Sequence, residues 1–251
     1  MVSLKTDKWQ LDNVESVIFD KDGTLIDLHY LWGKITELRA LELIKNFNLK
    51  DNYFKNICLF LGYDINSKKM NPNGITAMYS RVKIIELLNN YLNKLNVESS
   101  IEIIEKIFDT VTDRFNKDLY KYIKPIDEAF VLAQKLKEKG VKLGIVTADT
   151  TKATEQTLKH LGYEKLFDII IGRESSTHTK ESGIPTLIAL EKLSANANTT
   201  IMIGDSPTDK ISASNAGIKR TILVSTGQLD IDRLKKYSEY VINYLNELFV
   251  L

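Results

Sequence analysis

Asp20 and Asp22 stand two apart in Asp20-Lys21-Asp22-Gly23-Thr24, directly after the apolar run Val14 to Phe19. In extended backbone, side chains two apart project to the same side. Like charges held that close need a cation or a proton between them. Gly23 permits the tight turn that must follow. A second acidic pair lies far along the chain, in Gly204-Asp205-Ser206-Pro207-Thr208-Asp209. Ser206 suits a helix N-cap and Pro207 the first helical position, so Asp209 falls in the first turn with its carboxylate aimed back toward Asp205. Complementing the helix dipole would explain Asp209 alone, but not a second acid at the end of a strand. The pair reads as a site for a hard divalent cation, Mg²⁺, which prefers oxygen ligands and few protein carboxylates.

Two further segments supply what an anionic substrate would need. In Ile145-Val146-Thr147-Ala148, the Thr147 hydroxyl and the following backbone N–H, that of Ala148, can receive a phosphoryl oxygen at a strand end. Taken alone, a threonine there is more often a cap. Lys180, in the loop 174–183, can neutralise charge between a carboxylate and a phosphate. Alone it would be one surface lysine among 34 basic residues.

These segments act together only if the fold brings strand ends together. Val14 to Phe19 reads as a buried strand. From about Leu31 to Ile123 the spacing turns helical, with Leu31, Ile35, Leu38, Leu41 and Ile44, then Arg81 to Leu95, then a helix from Ile101 with a capping box at Ser99 to Glu102. After Pro125, helices and strands alternate: helix 126–139, strand 141–146, helix 151–161, strand 167–171, helix 184–193, strand 200–203 and helix 207–216. Two candidate edge strands follow, at 220–224 and 240–242. The alternation predicts an α/β fold with a doubly wound parallel sheet. The sheet needs the first strand, so the helical block is an insertion. The expected division is a core of 1–27 and 124–251 and an all-helical insertion of 28–123, set over the carboxyl ends of the strands where ligands bind in such sheets.

Composition narrows the classes of function. The 251 residues carry 34 basic and 33 acidic side chains, a net charge of +1, which gives no argument for nucleic acid or an anionic membrane as partner. Cys58 is the one cysteine, excluding an intrachain disulfide or a cysteine metal cluster, and His29, His160 and His178 are scattered. The stretch Met1 to Gln10 is polar, without the apolar centre of a signal peptide, and no apolar run approaches the roughly 20 residues of a membrane span. A cytoplasmic protein is the expectation.

In their order and their placement at strand ends, the four segments resemble the haloacid dehalogenase superfamily of phosphohydrolases, in the helical-cap branch that includes phosphoglycolate phosphatase-like members. The resemblance covers about residues 14–27 and 125–242. It implies a Rossmann-like core with an inserted cap and a magnesium-dependent phosphatase acting on a small phosphorylated metabolite. Asp20 would be the nucleophile that forms an aspartyl-phosphate. Asp22 would be general acid for the leaving alcohol and then base for water. Thr147, Ala148, Lys180 and Gly23 would line the phosphoryl site. Mg²⁺ would be held by the Asp20 carboxylate, the Asp22 backbone carbonyl and Asp205, with Asp209 holding it directly or through an intervening group. One loop departs from the family's pattern, which places a proline right after the lysine. Here Glu181 follows Lys180 and Pro185 comes later, leaving His178 and Lys192 as alternatives.

Among competing readings, a phosphosugar mutase shares the same aspartates and a helical cap, but no distinctive cap motif favours it. A receiver-like signalling domain uses adjacent acids, unlike Asp20 and Asp22. A noncatalytic relative would be expected to lack one of the four aspartates. In the insertion, Lys34, Lys68, Lys69, Arg81 and Lys83 are candidates to meet an anion, Tyr30, Trp32 and Tyr79 to line an apolar wall, and the loop 62–76 to face the site.

Overall fold

Ser16–Phe19 is buried along its whole length, as a strand covered on both faces must be. The computed structural model describes residues 1–251, apart from the side chain of Asn116. In chain order, β1 (Val2–Lys5) and β2 (Gln10–Val14) precede β3 (Ser16–Phe19). Next come α1 (Leu28–Asn46), α2 (Tyr53–Phe60), β4 (Tyr63–Asp64), β5 (Lys69–Met70), α3 (Ile75–Met78), α4 (Arg81–Lys94) and α5 (Ile101–Lys117). The rest alternates: α6 (Asp127–Glu138), β6 (Lys142–Val146), α7 (Thr151–Leu161), β7 (Ile169–Ile171), α8 (Ile184–Leu193), β8 (Thr200–Gly204), α9 (Pro207–Asn215), β9 (Arg220–Val224), α10 (Ile231–Leu234), β10 (Tyr240–Ile242) and β11 (Phe249–Val250). The chain divides into two compact units, 1–27 with 125–251, and 28–124.

The first unit is built on six strands in the order β10-β9-β8-β3-β6-β7, every pair parallel. Phe19 lies opposite Ile145 on one side and Ile203 on the other. The residues that follow β3, β6 and β8 therefore emerge side by side. A core of Ile18, Val146, Ile171, Leu190, Leu193, Met202 and Ala213 fills one face between strands and helices. Helix stops follow the glycines: α7 ends on Gly162, whose φ of 78° closes the helix in the left-handed region.

The second unit, 28–124, packs Leu43, Ile57, Leu61, Leu88, Leu92, Ile104 and Phe108 into its own core. The buried Arg39 guanidinium lies 4.2 Å from the Phe108 ring. Burial and the nearby Arg81 lower its pKa to about 10. This unit is helical except for the β4–β5 hairpin, which occupies much of the loop 62–76. Lys34, Arg81 and Lys83 are engaged in ion pairs with Glu37, Asp109 and Glu86.

Several boundaries differ from those the sequence suggests. The run Val14 to Phe19 is split at Glu15: Val14 ends β2 in a small antiparallel sheet, β11-β1-β2, and Ser16 begins β3 in the large one. The strand at 220–224 is internal, with β10 paired outside it. The cap of α5 is Ser100, whose Oγ accepts from Ile103 N, while the Ser99 hydroxyl donates to Asn89 Oδ1.

Leu88 is fully buried in the core of 28–124, whereas Val82 on the same helix is 75% exposed. Leu88→Ala should lower unfolding free energy by about 2–5 kcal/mol through the cavity it leaves, and Val82→Ala should stay within about 0.5 kcal/mol. Urea denaturation of both variants checks the contrast.

Candidate active site

The parallel register carries the acidic segments to one edge. The backbone of Asp20 continues the ladder beyond β3, its N–H donating to Ile203 O at 2.8 Å. After Asp20 the chain folds back: Lys21 O accepts from Leu25 N at 2.8 Å and Ile26 N at 2.9 Å, and Gly23 N donates to Ile26 O. Gly23 sits at φ 98°, in the left-handed region, and a Cβ there would overlap the Asp205 carboxylate. Only glycine satisfies both conditions at that position.

Asp205 leaves β8, the strand beside β3, and Asp209 lies in the first turn of α9. Asp209 Oδ2 accepts from Asp205 N at 3.1 Å, Ser206 N at 3.0 Å and Ser206 Oγ at 2.8 Å. One carboxylate oxygen thus ties the strand end to the helix start. Its Oδ1 lies 2.6 Å from Lys180 Nζ as an ion pair without an aligned hydrogen bond. Lys180 Nζ also donates to Asp20 Oδ1 at 2.5 Å. Lys180 opens a short 3-10 turn ahead of α8, and that turn is pinned to the end of α9, where Asn215 Nδ2 donates to Glu181 O at 2.7 Å. Gly183, at φ 79°, leaves no room for a Cβ against Asn215 and Ala216. His178 is exposed in the same loop, whereas Lys180 is 8% exposed at the cluster. Lys180, and not His178, is thus the residue set beside Asp20 and Asp209.

Carboxylate oxygens of Asp20, Asp205 and Asp209 lie within 4.8 Å of one another, all three residues buried. Burial, with Asp209 and Asp22 nearby, raises Asp20 to about 7 although Lys180 opposes the shift. Burial, Asp20 and Asp209 push Asp205 well above the ordinary carboxylate range. Lys180 is pulled down by burial but raised overall, because Asp20 and Asp209 face it. Three acids against one ammonium leave surplus negative charge, which a divalent cation with oxygen ligands would neutralise. All the donors are hard oxygens. The Asp205 carboxylate has clearance from two sides, since a Cβ at Gly23 or at Gly227 would overlap it. The residues fit Mg²⁺.

Thr147 is buried just past β6, and its Oγ1 accepts from Asp149 N at 3.1 Å, leaving the hydroxyl hydrogen to donate. Thr147 N is committed to Ile171 O, so the backbone N–H candidate at this strand end is that of Ala148. The Asp22 side chain is not part of the three-acid cluster. Its Oδ1 accepts from Lys21 Nζ at 2.9 Å, and Lys21 Nζ also lies 3.0 Å from Asp149 Oδ2. Burial depresses Lys21, but Asp22 and Asp149 outweigh it and its pKa ends above the ordinary lysine value. Lys21, Asp149, Gly183 and Gly227 escape a reading of the sequence. Lys21 stands inside the acidic motif itself, yet its charge gives no sign that it turns inward. Gly227 follows β9 without any local signature, and only its closeness to Asp205 marks it.

The description "haloacid dehalogenase-like hydrolase" matches residues 17–223. A protein of Caldanaerobacter subterraneus subsp. tengcongensis named putative pyrophosphatase PpaX is 28% identical over 223 residues, covering 89% of this chain and 87% of its own. A phosphoglycolate phosphatase of Aquifex aeolicus is 25% identical over 206 residues, 82% of this chain and 83% of its own. Among solved structures, a putative beta-phosphoglucomutase from Thermotoga maritima superposes with a TM-score of 0.68 at 20% identity, over 93% of this chain and 96% of that one, a likeness of fold. With a match that spans most of the chain and a six-stranded parallel sheet presenting its acids at adjoining strand ends, this protein belongs to the haloacid dehalogenase-like hydrolase family.

Proposed function

We propose that this protein is a magnesium-dependent phosphatase of small phosphorylated metabolites, working through an aspartyl-phosphate on Asp20. The observation that carries the reading is the Asp20–Lys180–Asp209 arrangement with Asp205 alongside, a buried nucleophile candidate held by an ammonium within a surplus of acid. Asp20, Asp205 and Asp209, with the backbone carbonyl of Asp22, would hold Mg²⁺. The bound ion supplies positive charge that lets an anionic carboxylate approach an anionic phosphoryl group.

In this chain's own residues, Lys180 fixes the Asp20 carboxylate and offers charge to the phosphoryl oxygens. Thr147 donates its hydroxyl hydrogen to one of them. Asp20 attacks phosphorus as the bond to the leaving oxygen breaks, and Asp22 gives that oxygen a proton. Asp22 then takes a proton from the water that attacks phosphorus and frees Asp20. Relatives carry the names pyrophosphatase and phosphoglycolate phosphatase, so the substrate panel should hold phosphoanhydrides as well as phosphomonoesters. The fold likeness to a putative beta-phosphoglucomutase adds no argument for a mutase.

Purified protein should release phosphate from p-nitrophenyl phosphate with Mg²⁺ and lose that activity in EDTA. Asp20→Asn should reduce turnover by roughly three orders of magnitude or more while the circular dichroism spectrum stays unchanged. A folded wild type that turns over nothing on the whole panel would overturn the phosphatase reading.

The charge surplus gives a second readout. Asp20 titrates near 7 in the folded chain against an ordinary 3.8. Between those values the folded protein keeps a proton that the unfolded chain gives up, so stability falls as pH rises through the window. The melting temperature of EDTA-treated protein should drop from about pH 5 to about pH 8, and saturating Mg²⁺ should raise it more at the higher pH. An equal Mg²⁺ shift at both values would contradict the assignment of the ion to this cluster.

Because a Cβ at Gly227 would overlap Asp205 Oδ2, Gly227→Ala should displace that carboxylate. The Mg²⁺ concentration for half-maximal activity should rise roughly 10- to 100-fold, as read in a metal titration of phosphate release.

A further inference from the structure

Lys21 is 5% exposed and spans two carboxylates from different loops, Asp22 at 2.9 Å and Asp149 at 3.0 Å. Burying an ammonium is costly unless its charge is met, so a lysine turned inward between two acids is a built feature. Asp149 is itself anchored. Its Oδ1 accepts from Thr150 N at 2.7 Å, its N–H donates to Thr147 Oγ1, and its carbonyl accepts from Arg173 N. The chain of contacts thus runs from the loop after β6, through Lys21, to one oxygen of Asp22. Asp22 Oδ2 makes no hydrogen bond among the described residues, and the side chain is 27% exposed.

We infer that Lys21 is a positioning residue, anchored by Asp149, that clamps Asp22 Oδ1 so that Oδ2 faces outward as the acceptor for the hydrolytic water. The inference rests on the phosphatase reading above and deepens it by separating the two halves of the reaction. In the second half, a water oxygen forms a bond to phosphorus, the Asp20 oxygen–phosphorus bond breaks with its electron pair returning to the Asp20 carboxylate, and the water proton passes to Asp22 Oδ2. A carboxylate with one oxygen accepting from an ammonium presents the other as a fixed acceptor, which is the orientation that this step needs. The first half makes no such demand when the leaving group is stable without a proton, as p-nitrophenolate is.

The test uses the full chain with p-nitrophenyl phosphate in saturating Mg²⁺, comparing wild type, Lys21→Met, Lys21→Arg and Asp149→Asn. Lys21→Met should lower kcat roughly 10- to 100-fold and lower KM in parallel. Then kcat/KM, which reports only the steps through p-nitrophenol release, stays within about threefold. Rapid mixing should show a burst near one p-nitrophenol per enzyme, because the phosphorylated enzyme accumulates. Lys21→Arg, which keeps donors for both carboxylates, should recover most of kcat. Asp149→Asn keeps the lysine but loosens its anchor, and should give the same pattern at smaller size; it carries the test if Lys21→Met does not fold. A merely structural lysine would lower kcat and kcat/KM together without a burst, and that result overturns the inference, as does an unchanged kcat in both variants. Wild-type turnover separates the two failures. If the wild type is inactive across the substrate panel, the phosphatase reading falls and this inference with it. If the wild type is active and the variants show no split, only the role of Lys21 falls.

Discussion

Three buried carboxylates cluster at the end of the parallel sheet with one ammonium, paired to Asp20 and Asp209, and that imbalance governs the surrounding structure. Carboxylates lose their hydration on burial and repel one another, so the arrangement without further positive charge drives one of them toward its protonated form. A stable fold would avoid such a cluster if packing were its only purpose, since an apolar replacement of like volume costs less. Its presence at adjoining strand ends, with glycines clearing space around Asp205, means the surrounding elements are shaped to tolerate it. The cation it calls for is hard, small and oxygen-seeking.

The scaffold meets this demand through backbone geometry. Parallel pairing of β3 with β6 and β8 fixes where Asp20, Thr147 and Asp205 emerge without any side chain taking part. Asp209 serves twice, as acceptor for the N–H groups that begin α9 and as the anion beside Lys180. Its near-complete burial follows, because both oxygens have work within the protein. Lys180 depends in turn on the α8–α9 packing, where Gly183 allows the approach and Asn215 holds the Glu181 carbonyl. The buried Thr186–Ser212 hydroxyl pair, at 2.7 Å, fastens the same two helices. A displaced proline in the lysine loop is therefore compatible with an ammonium set between Asp20 and Asp209, since the helix contacts define its position.

The sequence made the alternation of strand and helix legible because each element of the α/β unit carries a full signal. Val146, Ile171 and Met202 lie in short β-branched or apolar runs, and Gly162 and Gly217 close helices. The acids were legible for a different reason: charge at the end of an apolar strand has no packing explanation, so Asp20 and Asp205 stand out. Where reading failed, the deciding interaction was long-range. The break at Glu15 reflects different partners on its two sides, β2 pairing with β1 while β3 pairs with β6 and β8 far along the chain. The β4–β5 hairpin has two-residue strands, too short for any period to register. Gly227 matters only through Asp205, more than twenty residues away, and the inward turn of Lys21 depends on Asp149, which no spacing rule connects to it.

Two lysines divide the acids between them. Lys180 takes Asp20 and Asp209, and Lys21 takes Asp22 and Asp149. Without Lys21, Asp22 would stand two residues from Asp20 with no fixed positive partner of its own, free to turn toward the same charge that holds Asp20. A carboxylate drawn into the cation cluster would add a ligand and lose its freedom to exchange a proton. The Lys21 pairing keeps Asp22 outside the three-acid group while holding it in the adjoining turn, the separation that the proposed division between attack and proton transfer needs. Two acids of like chemistry, two residues apart, face different cations, and the alternation Asp20-Lys21-Asp22 places the second of those cations between them in the chain itself.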